Sequence, residues 1–176
     1  LDNKEDIVLV DMRNNYEAKI GKFKDARIVD MKNFRDLPNH MHEISDLKDK
    51  KVVTYCTGGI RCEKASAYLK ENGFQNVMQL QGGILKYGME FPDTYWEGKC
   101  FVFDDRLAVP LNTKDNPLTD CVWCKKPCDD VINCHNLHCD KFMTICADCS
   151  STHKKSCSVE CENSQKRRKE MSLVGS

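Results

Sequence analysis

The chain has 176 residues, 40% hydrophobic and 31% charged, with 27 Lys and Arg against 27 Asp and Glu. That length accommodates one full domain plus a small module, and the even charge excludes a strongly acidic or strongly basic protein. No apolar run approaches the ~18 residues of a membrane-spanning helix, and Leu1-Asp2-Asn3-Lys4-Glu5-Asp6 has no signal-peptide pattern, so an intracellular, cytoplasmic place without a membrane is expected. The opening lacks an initiating Met and reads as a fragment with further sequence upstream.

Ile7-Val8-Leu9-Val10-Asp11 is a continuous apolar run ending on a polar residue, the pattern of a strand buried on both faces. Asn14-Asn15 offers a cap for a short helix through Ile20, with Gly21 as its stop. Ala26–Val29 is a second strand, followed by a helical stretch from Phe34 to Leu47 broken near Pro38. Val52–Tyr55 is a third strand. Beyond it Cys62, Ala65 and Leu69 share a helical face that ends at Gly73. Asn76–Leu80 is the fourth strand, and Gly82-Gly83 leads into another helix at Ile84–Tyr87. Strands alternating with helices predict an α/β fold with a parallel sheet flanked by helices. From Met89 this rhythm stops, and Phe101–Phe103 with Leu107–Val109 suggests a small hairpin before a polar linker, Asn112–Pro117.

The run Cys56-Thr57-Gly58-Gly59-Ile60-Arg61-Cys62-Glu63-Lys64 carries the clearest chemistry. It joins a strand to a helix, so successive backbone N–H groups and the positive end of the helix converge on the Cys56 sulfur. Such surroundings stabilise a thiolate or a persulfide. Four residues separate Cys56 from Arg61, one fewer than a phosphate-enclosing loop needs, so Thr57, Gly58, Gly59 and Ile60 form a loop sized for a sulfur anion. Arg61 either caps that anion or orients a substrate. Cys62 suits core packing with Ala65 and Leu69, the favoured reading; the functional alternative is a resolving thiol that forms a disulfide with Cys56. Glu63 and Lys64 fit a solvated first helical turn. From the residues alone the mechanism is nucleophilic: Cys56 attacks a sulfane sulfur, and an acceptor removes it from the resulting persulfide. No dinucleotide-binding glycine pattern is present, so no nucleotide cofactor is expected.

Asp11-Met12-Arg13, Glu17 and the Cys56–Arg61 loop together resemble the rhodanese (sulfurtransferase) fold over roughly residues 5–90. In that fold the arginine of an Asp-x-Arg pair holds the framework by ion pairs. The resemblance implies that Asp11, Arg13 and Glu17 are structural supports, with Arg13 and Glu17 paired one helical turn apart. Gly21-Lys22-Phe23 departs modestly from the family's Gly-His-Ile. A tighter resemblance lies in three blocks: Tyr55–Ser66, Gln81–Tyr87 and Trp96–Arg106. These look like the rhodanese-like tRNA uridine hydroxylase family, whose bacterial members oxidise the wobble uridine at carbon 5. The resemblance implies a tRNA partner, an amino-terminal ferredoxin-like domain missing here, Cys56 as nucleophile and Arg61 as loop arginine.

Twelve cysteines are spread unevenly: Cys56, Cys62 and Cys100 stand apart, and nine crowd between Cys121 and Cys161. Without a secretory signal, and in CxxC pairs, they point to zinc and not to disulfides. A cross-braced pairing assigns one zinc to Cys121, Cys124, Cys146 and Cys149, and a second to Cys134, Cys139, Cys157 and Cys161, with Cys128, His138 and His153 as substitutes. Four-thiolate sites are closed, so one or two zinc ions would be structural, supplying folding energy to a segment too short to bury a core. Residues 121–176 hold nine Lys and Arg against seven Asp and Glu. Two zinc–tetrathiolate centres would reverse that small excess, so the module as a whole is no cationic clamp. The cluster Lys166–Lys169 could touch phosphates, act as a nuclear-import signal or be a solvated tail.

The expected organisation is a rhodanese-like domain at 1–92, hairpin and linker at 93–118, a zinc-binding module at 119–163 and a charged, disordered tail at 164–176. Three functions stand open: tRNA wobble-uridine (U34) hydroxylation, sulfur transfer from thiosulfate or another small sulfur donor, and a non-enzymatic rhodanese and zinc interaction module.

Overall fold

The structure is a computed structural model that describes residues 6–114 and 117–168. The chain divides into two units, Leu1–Leu118 and Thr119–Ser176.

In the first unit, β1 (Ile7–Asp11), β3 (Arg27–Ile28), β4 (Lys51–Tyr55) and β5 (Asn76–Gln79) form one parallel sheet in the order β3-β1-β4-β5. The register sets Ile7 opposite Lys51 and Asp11 opposite Tyr55, so β1 and β4 end side by side. From β1 the sheet grows outward in both directions, which makes the carboxyl ends of β1 and β4 its topological switch point. Parallel sheets bind ligands in the crevice there. Cys56 is the next residue after β4.

Alternation along the strands sends Val10 and Val52 to one face and Leu9 and Tyr55 to the other. The first face packs against α3 (Ile60–Glu71), through Cys62, Ala65 and Leu69, and against a helical run through Leu37, Ile44 and Leu47. That run changes character as it goes: 3-10 turns at Phe34–Asp36 and Met41–Leu47 flank one α-helical turn, α2 (Leu37–His40), with Pro38 in its first turn. The second face packs against α4 (Gly83–Glu90) and an aromatic cluster centred on Phe23, whose ring meets Tyr55, Tyr87 and Trp96 edge-on at 4.9, 4.7 and 5.1 Å. An apolar cavity of about 280 Å³ lies on this face, lined by Ile7, Leu9, Val53 and Tyr95 among others.

Two expectations change here. Gly21 does end the helix α1 (Asn15–Ile20), but it also opens a strand, β2 (Gly21–Phe23). The hairpin expected in a connecting segment is larger and belongs to the first unit: β6 (Trp96–Phe101) pairs antiparallel with β2 on one side and with β7 (Ala108–Pro110) on the other. Burial of Trp96, Cys100 and Phe101 explains why the strands between 96 and 110 fold with the preceding sheet.

The second unit is built on a hairpin of β8 (Val131–Asn133) and β9 (Phe142–Thr144), with two short helices, α5 (Ala147–Thr152) and α6 (Val159–Glu162). Its core is small: Cys121, Cys128, Met143 and Ile145 are buried, with Trp123 packed against them. Residues 164–168, expected in the charged tail, fold into this unit. Arg167 donates to the carbonyls of Cys161 and Glu162 at 2.7 and 3.2 Å, satisfying acceptors that α6 leaves open, and also to Lys154 O. Arg168 pairs with Asp140. The remainder of the tail, 169–176, lies outside the described residues. Among the described residues no helix is long and apolar enough to cross a membrane.

Candidate active-site loop and metal centres

Gly59 takes a left-handed conformation, φ 95°, that turns its N–H back onto Cys56 Sγ at 3.1 Å. The strongest influence on Cys56 is a hydrogen bond from the Cys62 thiol, one turn into α3. Burial opposes ionisation, but the N–H groups of Cys62 and Gly59 and the charge of Arg61 add to the donor, and the Cys56 thiol falls from 9.0 to about 5. Cys62 shifts far upward because its proton is committed to Cys56. At neutral pH the pair is therefore a Cys56 thiolate beside a Cys62 thiol, which also packs in the core with Ala65 and Leu69.

Arg61 does not face the sulfur as a free cap. Its Nη1 and Nη2 bind Glu17 Oε2 and Oε1 at 2.6 and 2.8 Å, and Nη2 reaches Thr57 Oγ1 at 3.3 Å. Glu17 also accepts from the Asn14 N–H at 3.0 Å, so one fully buried carboxylate joins the start of α1 to the Cys56 loop. The Arg13–Glu17 ion pair that the resemblance implied is not formed between the side chains; Arg13 Nη1 reaches Glu17 only at its carbonyl oxygen, at 3.5 Å. Arg13 turns back to Asp11, with Nη2 to Oδ2 at 2.6 Å and Nε to Oδ1 at 2.9 Å, and donates to Gly21 O at 2.7 Å. Its guanidinium lies 5.2 Å from the Trp96 ring, enclosed between the sheet end and the aromatic cluster. Arg13 precedes α1, so the four-residue spacing does not place it on the same helical face as Glu17.

A second loop supports the first. Ile84 N–H donates to Cys56 O at 3.0 Å and Leu85 N–H to Thr57 O at 3.2 Å, so the start of α4 docks on the carbonyls of the cysteine loop. Gly83 has φ 67°, and a Cβ there would lie 2.6 Å from both Cys56 O and Thr57 O. The Gly82-Gly83 pair signalled a turn, but nothing in its spacing connected it to Cys56. On the loop's outer side Gly58 faces open space, and Ile60 is 76% exposed.

In the second unit two groups of four sulfurs come together: Cys121, Cys124, Cys146 and Cys149, and Cys134, Cys139, Cys157 and Cys161, each with all Sγ atoms within 4.8 Å of one another. The Sγ separations Cys124–Cys146, Cys139–Cys157 and Cys157–Cys161 are 3.7, 3.7 and 3.6 Å. Four ligands at about 2.3 Å around a tetrahedral metal stand ~3.75 Å apart, and disulfide sulfurs about 2.05 Å, so these sets fit metal ions. The β8–β9 hairpin ties the two groups together, with Cys134 and Cys139 in its loop and Cys146 just past β9. The N–H of Cys146 points at Cys121 Sγ at 3.4 Å, and Asn136 Nδ2 at Cys161 Sγ at 3.3 Å. None of the three substitutes joins either group: Cys128 is buried in the small core, His138 is exposed, and His153 stacks on Trp123 at 3.6 Å.

The sequence pattern of the rhodanese-like domain matches residues 1–90, half of the chain. This chain belongs to the rhodanese-like domain family. A second family, described as rhodanase C-terminal, matches residues 97–162 of the same rhodanese-like protein. A tRNA uridine(34) hydroxylase of Cytophaga hutchinsonii is 47% identical over 162 residues, covering 91% of this chain and 52% of that one. One of Chlamydia abortus is 42% identical over 167 residues, covering 92% and 51%. The chain thus spans about half the length of the curated relatives it matches. Among solved structures, the Alr3790 protein of Anabaena sp. is 22% identical with a TM-score of 0.45, covering 54% of this chain and 70% of that one.

In this rhodanese-like domain the site offers an ionised sulfur, fixed by N–H and S–H donors at the sheet's switch point, beside an arginine already neutralised by Glu17. Such an arrangement is chemically suited to nucleophilic attack. It does not present a cationic cradle for a phosphate.

Proposed function

We propose that this rhodanese-like protein takes part in hydroxylating carbon 5 of a wobble uridine (U34) in tRNA, with Cys56 as nucleophile and Arg61, Thr57 and Glu17 holding its loop. The observation that carries the reading is the Cys56 thiolate, held by Cys62 and Gly59, in a chain 47% identical over 162 residues to a relative named tRNA uridine(34) hydroxylase. Cys56 Sγ adds to carbon 6 of uracil, and the C5–C6 pair moves onto the C4 carbonyl, making carbon 5 nucleophilic. Carbon 5 then gives that pair to an oxygen of a peroxide supplied as co-substrate, whose O–O bond breaks to leave hydroxyl on carbon 5 and release the other oxygen as water or an alcohol. Loss of the C5 proton and of the thiolate restores the double bond, so uridine is oxidised by two electrons and the donor reduced by two.

The reading goes with a cytoplasmic place and a tRNA partner. Two structural zinc ions would occupy the two four-cysteine groups, since an all-thiolate tetrahedral set suits zinc, and closed sites leave no position for substrate. Nucleoside analysis of tRNA from cells with the wild-type gene or its Cys56→Ser form is the test, together with mass spectrometry for a Cys56 adduct on 5-fluorouridine RNA. A modified wobble base that survives Cys56→Ser, with no adduct trapped, overturns the reading. A second reading, sulfur transfer through a Cys56 persulfide, draws on the short loop and the Gly59 N–H. It predicts cyanide-dependent thiocyanate formation that disappears in Cys56→Ser.

A further inference from the structure

We propose that the open face of Phe103 is a stacking platform that positions a pyrimidine base at the mouth of the Cys56 loop. This rests on the uridine reading above and assigns it a positioning residue.

Phe103 lies two residues beyond β6 and is 66% exposed. Single exposed aromatics are common on protein surfaces and ordinarily call for no explanation. This one is held from below. The fully buried Phe101 meets it edge-on, with centroids 5.2 Å apart and planes at 75°. Tyr16 supports Phe101 in turn at 5.4 Å and 78°. The Arg61 guanidinium carbon stands 5.5 Å from the Phe103 centroid, and that guanidinium is fixed by two bonds to Glu17.

The ring is therefore referenced to the same ion pair that braces the Cys56 loop, while most of its own surface faces water. A fixed aromatic plane with a free face is what proteins offer an unpaired base, because every base has a π-face and the contact needs no hydrogen-bond pattern. In the loop braced by that ion pair, Gly58 is unobstructed: an added Cβ there would meet nothing within 4 Å. Arg106, the next cation along the chain, is engaged with Asp104 at 2.6 and 2.9 Å, so the ring and not this arginine is the feature presented. Orientation of the base belongs to Phe103, and chemistry to Cys56.

The experiment expresses the gene in its natural reading frame in a bacterial strain lacking its own tRNA uridine(34) hydroxylase, and measures C5-oxidised wobble uridine by nucleoside mass spectrometry. Phe103→Leu keeps an apolar side chain of similar reach without a π-face, and the modified nucleoside is expected to form about tenfold more slowly. Phe103→Tyr and Phe103→Trp are expected to stay within about twofold of wild type. Alkylation of Cys56 against pH, measured on each purified variant, should keep the wild-type midpoint if the loop is intact. If Phe103→Leu equals wild type, or Trp falls with Leu, or the alkylation midpoint moves with the loss, the platform is refuted and the uridine reading stands. If the wild-type gene restores no modified uridine, the uridine reading fails and takes the platform with it.

Discussion

Cys56 and Cys62 divide one acidic function between two thiols. The donor that lowers Cys56 most is the Cys62 side chain, so the thiolate depends on a fully buried neighbour. Iodoacetamide alkylation of Cys56 should rise with pH to a midpoint of about 5, where an unperturbed thiol would titrate near 9.0. Replacing Cys62 with Ala removes a donor to the charged form, so the midpoint must move upward and alkylation at pH 6 should slow several-fold or more. An unchanged midpoint would show that the backbone N–H groups suffice. Glu17 and Arg61 form the second coupled pair, with side-chain exposures of 0% and 18%. Arg61→Met leaves a buried carboxylate without its cation and should cost about 3–5 kcal/mol in urea unfolding, as should Glu17→Ala in reverse. The double variant Glu17→Gln, Arg61→Met should recover part of that loss, because no unpaired charge remains. The cysteine loop itself was legible in the sequence, since Cys56, Gly59, Arg61 and Cys62 are neighbours and their chemistry is local. The pairing of Glu17 was not, because its partner lies 44 residues away and the four-residue spacing to Arg13 offered a closer but unrealised match.

Among the elements, the long strands and α3 declared themselves through apolar runs and helical periodicity, while β2 did not. Three residues, Gly21–Phe23, carry no periodicity, and their partners Trp96–Gly98 come far later in the chain. Only Gly21 as a helix stop was visible, and the strand it begins was hidden behind that reading. The α4 docking on the cysteine loop was hidden for a similar reason, since it is made by backbone groups. It yields a sharp expectation. At Gly83 a Cβ would collide with two carbonyl oxygens of backbone 2.6 Å away, and φ 67° is strained for any L side chain. Gly83→Ala should therefore destabilise the first unit by about 1–3 kcal/mol. It should also loosen the turn that aims the Gly59 N–H, moving the Cys56 alkylation midpoint upward. Urea unfolding combined with the alkylation profile checks both, and a stability loss with an unmoved midpoint would show that α4 supports the fold but not the sulfur.

Across the whole molecule, the two units are stabilised by different physics. The first buries apolar side chains on both faces of a parallel sheet. The second has a core of a few cysteines with Met143, Ile145 and Trp123, too little apolar surface for a segment of this size. Metal ions in the two four-cysteine groups would supply the compensating term, and the cysteine spacing made those groups legible even though the neighbouring Cys128, His138 and His153 offered plausible ligands. What spacing could not supply was the β8–β9 hairpin, which decides which sulfurs meet. If the two groups of four are the metal centres, the purified protein should carry two zinc ions per chain by elemental analysis. Cys134→Ser should reduce this to one, because three sulfurs and a hydroxyl make a far weaker site. Cys128→Ser should keep both, since its sulfur belongs to the core and to neither group. Chelation of the wild-type protein should then unfold the second unit while leaving the Cys56 alkylation midpoint near 5, because no residue that sets that midpoint lies beyond Leu118. A Cys128→Ser protein that loses a zinc would reassign the ligands; a midpoint that moves on chelation would mean the sulfur site depends on the metal after all.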